Sequence, residues 1–280
     1  MIIDFHTHIF PEPVIRHRER YFEGEAEFRL LYSSPKARLV GPEELIAVMD
    51  EQQIDRAVVF GFPWSDMRLT RMNNDAILEA VTLYPDRFTG FACVAPLHQK
   101  AAAETERCLD SGLSGVGELA FYETGINAHC LDRLEPIMNI CRDRNLPVMI
   151  HTNEPVGHAY CGKSPNTLAQ IYTMIKRFSD NRLVLAHWGG GILFYSLLKK
   201  EVDLVLKNVW YDTAASPYLY KPDIYRIAKE LVGLDKILFG TDYPLLKPER
   251  YFQDMRSAGL DETEIAAVAG KNARKLLFSS

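Results

Sequence analysis

Imidazole and carboxylate side chains stand directly after short apolar runs at several places in this chain. Burying an ionisable group at such a position costs several kcal/mol unless the group is paired or binds a metal. Neutral imidazoles and carboxylates bind zinc, and a mixed nitrogen and oxygen site also accepts manganese or iron. The sequence therefore predicts a site for one or two divalent ions, with zinc as the first choice, formed by His6, His8, Glu118, His151 and Asp242.

Each of these residues also has an ordinary explanation when taken alone. A histidine at a strand end is more often a hydrogen-bonded core residue than a ligand, and an aspartate there often caps the next helix. The set is harder to dismiss, because His187 adds another candidate and because His6 and His8, two residues apart, point to one face of a strand. The remaining histidines fall in loops or helix-like segments and are interpreted as structural or surface residues: His17, His98, His129 and His158.

Short apolar segments alternate along the chain with segments of helical period. Leu168, Ile171, Ile175 and Phe178 form one such helical stripe. Eight strands with intervening helices in 280 residues favour a closed (β/α)₈ TIM barrel over an open sheet. The predicted strands are 2–5, 57–60, 90–94, 115–118, 148–151, 183–187, 209–211 and 237–240.

The predicted barrel accounts for residues 1–280 as a single domain. The long interval after the first strand predicts an insertion over residues 11–42 that lies over the barrel mouth. Residues from Pro248 onward predict extra carboxyl-terminal helices. Catalytic groups of such barrels lie at the carboxyl ends of the strands, which is where the candidate residues fall.

Composition limits the classes of partner. The net charge is −5, and no run of Lys and Arg provides the footprint of a nucleic-acid binder. No apolar run is long enough to span a membrane, and the first residues lack the features of a signal peptide. Five cysteines without a CxxC pair predict reduced thiols in a cytoplasmic protein. We expect a small-molecule substrate, no nucleic acid and no membrane partner, and we leave a homo-oligomer open.

Aromatic residues follow several predicted strands and would form a rim around the barrel mouth. Trp64, Tyr122 and Trp188 are predicted substrate contacts for a small, partly apolar or ring-bearing molecule. The alternative is that these rings only pack the mouth. Guanidinium groups suit substrate carboxylates, and the sequence does not choose among the candidates for that role. These are Arg29, Arg38 and Arg68.

Four motifs occur in order along the chain: Asp4-Phe5-His6-Thr7-His8, Ile150-His151-Thr152, Ala186-His187-Trp188-Gly189-Gly190 and Phe239-Gly240-Thr241-Asp242-Tyr243-Pro244. Together they resemble the amidohydrolase superfamily, in particular its amidohydrolase-related branch. The resemblance covers nearly the whole chain and implies a metal-dependent enzyme. The branch contains lactone and amide hydrolases as well as non-oxidative decarboxylases of aromatic or dienoic acids.

The resemblance implies a role for each residue at a strand end. His6 and His8 would bind the metal from the first strand, and His151 from the fifth. Asp242 would bind the metal and accept a proton from the attacking water. His187 would bind a second ion in two-metal members, or act as an acid or base beside the substrate in one-metal members.

The fourth strand departs from the superfamily pattern. Many two-metal members carry a carbamylated lysine there, whereas this chain has Glu118. The sequence Gly117-Glu118-Leu119 also resembles that of TatD-type phosphoesterases, in which the glutamate binds metal. A site with one metal is therefore not assumed.

A hydrolase is the function that we predict first. A metal-bound water, with its pKa lowered to about 7, would attack the carbonyl of a small amide or lactone. Non-oxidative decarboxylation of an aromatic or unsaturated acid is the alternative, with His187 as proton donor, and the compact chain favours hydrolysis. A TatD-like phosphoesterase would need basic groups at the mouth, and a non-catalytic metal-binding barrel is the last alternative.

Overall fold

The structure, a computed structural model, describes residues 1–278 and contains eight parallel strands in the predicted order. Helices follow each strand, so the predicted (β/α)₈ class of fold is confirmed. The strands are β1 Ile3–His8, β2 Arg56–Phe60, β3 Phe88–Gly90, β4 Val116–Leu119, β5 Pro147–Ile150, β6 Arg182–Leu185, β7 Val209–Asp212 and β8 Ile237–Leu238.

Hydrogen-bonded ladders join neighbouring strands, β1 to β3 in one sheet and β4 to β8 in a second. Isolated parallel bridges link the two sheets at both seams, from Ala92 to Val116 and from Thr7 to Tyr243. At the second seam the backbone N–H of His8 also donates to the carbonyl of Tyr243 at 2.9 Å. The eight strands therefore surround a common interior.

The third strand differs most from its prediction. The sequence predicts residues 90–94, whereas the ladder covers Phe88–Gly90 and only Ala92 pairs beyond it among the described residues. Apolar character marks a buried run but does not tell which of its residues form ladder hydrogen bonds.

Alternate strand residues face the barrel interior or the surrounding helices, as the period of two requires. Val58 and Phe60 belong to an inner apolar cluster together with Met149 and Val184. Val59, between the first two, packs in the outer cluster formed by strands and helices. Both faces of the strands are buried, which explains the nearly continuous apolar runs in the sequence.

Thirteen α-helices lie within residues 1–278, and side-chain caps begin four of them, at Asp66, Asn127, Thr167 and Asp261. In this part of the chain no helix has the length and apolar character needed to cross a bilayer. The helices are α1 Glu12–Arg16, α2 Ala26–Tyr32, α3 Pro42–Glu51, α4 Met67–Leu83, α5 Ala101–Asp110, α6 Ala128–Asp143, α7 Leu168–Arg177, α8 Glu201–Val205, α9 Ser216–Leu219, α10 Ile224–Val232, α11 Glu249–Ser257, α12 Glu262–Ala266 and α13 Asn272–Phe278.

Residues after β8 form extra helices, as the sequence predicts. A π turn over Ala267–Lys271 joins α12 to α13 in one continuous helical stretch. Ala273 and Leu276 of α13 complete the inner cluster. A Cβ atom at Gly270 would lie 2.2 Å from the carbonyl oxygen of Met1, so the absence of a side chain lets this turn pack on the start of the chain.

The inserted segment, residues 11–42, contains α1, α2 and a 3-10 turn before α3 begins at Pro42. It is tied to the loop after β2 by the carboxylate of Glu25, which accepts the backbone N–H groups of Ser65 at 2.8 Å and Asp66 at 2.7 Å. Apolar packing adds to this contact through a group that we call the rim cluster. Its buried members are Phe10, Val14, Phe28, Leu39, Phe62 and Trp64.

Candidate metal centre

The polar residues predicted at strand ends lie at one end of the barrel. β1 contributes His6 and His8, and β4 contributes Glu118. Their donor atoms and those of the remaining three residues form overlapping groups of three, and within each group all atoms lie within 4.8 Å of one another. The remaining residues follow β5, β6 and β8 and are His151, His187 and Asp242.

An irregularity in β1 turns its two histidines toward the site. Ile3 and Phe5 pack in the inner cluster, so a regular strand would send the histidines that follow to the opposite face. The register between β1 and β2 shifts between Asp4 and Thr7, as in a β-bulge, and a bulge re-aims the side chains beyond it. The carboxyl end of β1 therefore presents imidazoles where its first half presents apolar groups.

The first group of donor atoms joins residues from both ends of the chain. Nε2 of His6 and Nε2 of His8 are 3.3 Å apart, and Oδ1 of Asp242 lies 3.5 Å from the former and 3.3 Å from the latter. Oε2 of Glu118 is 3.7 Å from Nε2 of His6. Ligand atoms at about 2.0–2.2 Å from a common ion stand roughly 3–3.5 Å from one another, so this spacing fits one divalent ion.

Acceptors behind the imidazoles fix which ring nitrogen faces the first group. Nδ1 of His6 lies 2.8 Å from Oδ2 of Asp212, and Nδ1 of His8 lies 3.1 Å from the carbonyl of Gly61. Each Nδ1 therefore carries a proton, and each Nε2 presents a lone pair to the site, as in metal-bound histidines. Two lone pairs facing each other across 3.3 Å repel unless a proton or a cation lies between them, so the donor set fits a metal.

A second group of donor atoms lies on the other side of Glu118. Oε1 of this residue is 2.9 Å from Nδ1 of His151 and 3.6 Å from Nε2 of His187. Nδ1 of His187 donates to the carbonyl of Ala214 at 3.0 Å, and Nε2 of His151 donates to that of Gly162 at 2.8 Å. The sequence predicts that His151 shares an ion with the first-strand histidines, whereas the structure groups it with Glu118 and His187.

Charges within the cluster shift its pKa values in opposite directions. Burial alone lowers the pKa of His6, but the carboxylates of Asp212 and Glu118 raise it to about 10. Burial also opposes the charge of His187, while its hydrogen bond to Glu118 and the charge of Asp242 raise its pKa to about 9. Burial raises the pKa of the two carboxyls, Glu118 and Asp242, but neighbouring histidines lower it further, to well below the usual range. The ionised carboxylates therefore favour positive charge in the site, as protons or as a metal ion.

Two buried aspartates that the sequence analysis missed hold these ligands in place. Asp212, the last residue of β7, accepts Nδ1–H of His6 with one oxygen and the backbone N–H of His187, at 2.9 Å, with the other. Asp4 accepts the backbone N–H and the hydroxyl of Thr241, at 3.0 and 2.6 Å, and so fixes the residue before the site aspartate. A signal existed for Asp212, because it too ends an apolar strand.

The two tryptophans predicted to contact substrate lie in the core. Trp64 is fully buried in the rim cluster, and its indole N–H donates to Oδ1 of Asn73 at 2.9 Å. Trp188 is also fully buried, and its indole N–H donates to Oγ of Ser216 at 2.9 Å. The prediction is corrected for both residues, because each ring is packed on all sides and each polar atom already has a protein partner.

Tyrosines border the metal site instead. The ring centroid of Tyr122, the third predicted substrate contact, lies 5.1 Å from that of His151. Tyr32 of the inserted segment was not singled out by the sequence. Burial and then the nearby charges of Asp242 and Glu118 raise its pKa, which puts its hydroxyl close to both ligand groups.

One of the candidate arginines lies beside a site motif. Nη2 of Arg38, in the inserted segment, is 3.4 Å from the hydroxyl of Tyr243, the residue after the site aspartate. The same guanidinium pairs with Glu44. Arg29 and Arg68 are exposed to solvent.

This architecture defines a class of enzyme in which a (β/α)₈ barrel holds histidine and carboxylate donors at its carboxyl end. Within that class, the chain belongs to the amidohydrolase family, which it matches over residues 3–278. The resemblance carried by the four sequence motifs is thereby confirmed.

Known proteins similar to this chain include several decarboxylases. The 2-amino-3-carboxymuconate-6-semialdehyde decarboxylase of Dictyostelium discoideum is 24% identical over 98% of this chain and 91% of its own length. The 5-carboxyvanillate decarboxylase from Sphingomonas paucimobilis has a solved structure with a TM-score of 0.77 and 21% identity, covering 99% of this chain and 98% of that one. The dihydroxybenzoic acid decarboxylase from Polaromonas sp. JS666, solved with bound manganese and the inhibitor 2-nitroresorcinol, has a TM-score of 0.70 and 18% identity, covering 99% of this chain and 96% of that one.

Proposed function

We propose that this protein is a metal-dependent, non-oxidative decarboxylase of an aromatic or unsaturated carboxylic acid. The similar proteins named above act on such acids, which supports decarboxylation over the hydrolysis that the sequence analysis put first. The observation that carries the proposal is the ligand group of His6, His8 and Asp242 with Tyr32 and Tyr122 nearby. Tyrosine rings beside a metal suit a planar substrate that bears oxygen substituents.

One divalent ion would be held by His6, His8 and Asp242. The three donor atoms lie 3.3 to 3.5 Å apart, and both imidazoles present Nε2 lone pairs. When bound, such an ion acts as a Lewis acid on the oxygens of the substrate and neutralises part of their charge. Zinc is the first choice from the sequence, and manganese suits the same mixed donor set and is bound in the similar Polaromonas enzyme.

His187 is the proposed proton donor. Loss of CO₂ breaks the bond between the carboxyl group and its carbon and leaves the electron pair on that carbon, which must then gain a proton. Nε2 of His187 points into the site because Nδ1 donates to Ala214. Its pKa of about 9 keeps the ring charged near neutral pH, so Nε2 carries the proton that the carbon needs. No oxidant or reductant enters this balance.

Asp242 would keep both the ion and the donor in their working states. It adopts a φ of 63°, in the left-handed region that residues other than glycine rarely adopt, and the contacts of Thr241 with Asp4 hold the chain there. Its ionised carboxylate supplies a ligand to the first group. The same negative charge raises the pKa of His187 and thereby favours the protonated ring.

The test measures CO₂ released by protein loaded with Zn²⁺ or Mn²⁺ from hydroxybenzoic and dienoic acids, beside a parallel set of lactones and N-acyl compounds. Asp242→Asn keeps the shape of the side chain but removes its charge, so CO₂ release should fall by roughly 10²–10⁴-fold with the circular dichroism spectrum unchanged. Asp180→Asn, in an exposed turn, is the matched control and should keep wild-type turnover. Cleavage of a lactone or amide without CO₂ from any acid would overturn decarboxylation.

Hydrolysis of a small lactone or amide is the second candidate, because Glu118 has one oxygen in each ligand group. Its Oε2 lies 3.7 Å from Nε2 of His6, and its Oε1 lies 2.9 Å from Nδ1 of His151. A carboxylate shared in this way suits the two-ion centres that some hydrolases use. The substrate panel described above separates the two candidates by their products.

A further inference from the structure

We propose that Glu118, His151 and His187 form a second divalent-cation subsite, which shares Glu118 with the first ligand group. Oε1 of Glu118 is 2.9 Å from Nδ1 of His151 and 3.6 Å from Nε2 of His187, and the three atoms lie within 4.8 Å of one another. All three residues are only 5% exposed. Three protein ligands with one position left open is the usual arrangement of a divalent site that also takes water or substrate.

The hydrogen bonds around this subsite leave its donor atoms facing one another without a proton between them. Nε2 of His151 must carry a proton to satisfy the Gly162 carbonyl, which leaves the lone pair of Nδ1 against a carboxylate oxygen at 2.9 Å. Nδ1 of His187 likewise carries its proton toward Ala214, so Nε2 offers a lone pair to the same oxygen. A cation among the three atoms removes this repulsion. The competing arrangement is a doubly protonated His151 paired with Glu118, which needs no metal.

The two subsites should differ in affinity. The first has three ligands of its own, His6, His8 and Asp242, while the second has only His151 and His187 besides the shared glutamate. One oxygen of that glutamate faces each side, so both subsites can be filled together. Fewer ligands and a shared negative charge should make the second ion bind more weakly than the first.

Filling the second subsite would change what His187 can do. Its Nε2 is the atom that carries the proton in the proposed decarboxylation, and an ion bound there excludes that proton. Excess metal should therefore inhibit CO₂ release. This consequence rests on the proposed function, whereas the existence of the subsite rests on the geometry alone.

The test counts bound metal independently of activity. Metal-free protein is dialysed against rising concentrations of Mn²⁺, and bound manganese is measured by mass spectrometry and by electron paramagnetic resonance. We expect two equivalents in two steps, with spin coupling between neighbouring ions when the second step is complete. His187→Asn and His151→Asn should each weaken the second step by at least roughly tenfold and leave the first in place. His158→Asn, an exposed histidine of the loop after β5, is the matched control and should keep both steps.

A single equivalent in the wild-type protein at saturating Mn²⁺ would overturn the proposal, as would a second step that persists in both His187→Asn and His151→Asn. Melting curves verify the fold of each variant, and the two substitutions lie after different strands, so either one alone tests the subsite. Two equivalents without CO₂ release would keep the subsite and remove the proposed decarboxylation. One equivalent with CO₂ release would do the reverse.

Discussion

The barrel wall and the inserted segment border the same metal site but hold their side chains by different contacts. On the barrel wall, short hydrogen bonds from buried carboxylates fix the ligands. Asp212 holds the ring of His6 at 2.8 Å and the backbone of His187 at 2.9 Å, and Asp4 holds the hydroxyl of Thr241 at 2.6 Å. Such bonds set both the position and the orientation of a side chain.

The inserted segment is held mainly by aromatic packing. The ring centroid of Phe28 lies 4.3 Å from that of Trp64 and 4.8 Å from that of Tyr32. Polar ties to the barrel include those of Glu25 to the loop after β2. Packing of this kind contributes stability roughly in proportion to the buried area but sets orientation less sharply than hydrogen bonds do.

This difference suggests a division of labour between the two regions. Substitutions on the barrel wall should act on metal binding, because they release a ligand from a fixed orientation. Substitutions in the inserted segment should act on stability or on substrate binding and leave the metal in place. The predictions below test that division, starting with the largest expected effect.

Phe28→Ala should lower the free energy of unfolding by about 3–5 kcal/mol, because the ring is fully buried in the rim cluster. Urea unfolding measures the change, and the number of tightly bound metal ions should stay as in the wild-type protein. Phe194→Ala, at a position 46% exposed, is the control and should change stability by less than about 1 kcal/mol. Loss of metal from Phe28→Ala at unchanged stability would contradict the division.

Asp212→Asn should weaken metal binding roughly 10–100-fold, because the amide no longer offers a charged acceptor to Nδ1 of His6. Competition with a chromophoric chelator measures the affinity, and added metal should restore turnover. Asp203→Asn, on the exposed face of α8, is the control. Unchanged affinity in Asp212→Asn would mean that the orientation of His6 does not depend on this carboxylate.

Much of this architecture could be predicted from the order of elements. Apolar runs separated by helical stripes identify the eight strands, and the rule that polar groups collect at the carboxyl ends of strands brings His6, Glu118 and Asp242 together. Their roles as ligands stay predictions. Asp212 was overlooked because its strand was ended one residue too early, at Tyr211, although the same rule applies to it.

Other features depend on contacts that no local pattern records. The bulge that re-aims the end of β1 is a property of its pairing with β2, and the sequence gives no sign of it. The orientation of His151 follows from the carbonyl of Gly162, which only the folded loop brings near. The indole groups of Trp64 and Trp188 find partners in Asn73 and Ser216, so an aromatic residue after a strand does not by itself indicate a substrate contact.

Tyr32→Phe should raise KM for the acid substrate by roughly 2- to 10-fold, the worth of one hydrogen bond, with little change in kcat or in bound metal. The hydroxyl lies close to the charges of Asp242 and Glu118, where a substrate oxygen would bind. Tyr21→Phe, in the same inserted segment, is the control and should keep the wild-type KM. A fall in kcat with KM unchanged would move Tyr32 from binding to the chemical step.

Glu27→Gln should have the smallest effect, and its sign depends on pH. Burial, and then the charges of Glu123 and Glu25, raise the pKa of Glu27 from 4.5 to about 7. The folded protein therefore keeps a proton that the unfolded chain loses above about pH 4.5, and the stability from this group is complete below that pH and lost as the pH rises through 7.

Glutamine in its place cannot ionise, so Glu27→Gln should melt about 1–3 °C above the wild-type protein at pH 8, with the gap closing toward pH 5. Glu23→Gln, at an exposed position of the inserted segment, should follow the wild-type curve at both pH values. A gap that is absent at pH 8, or that widens toward pH 5, would show that Glu27 is not held in a protonated state by its surroundings. Bound metal should not change in either variant, because this carboxyl belongs to the inserted segment and is not among the donor groups of the site.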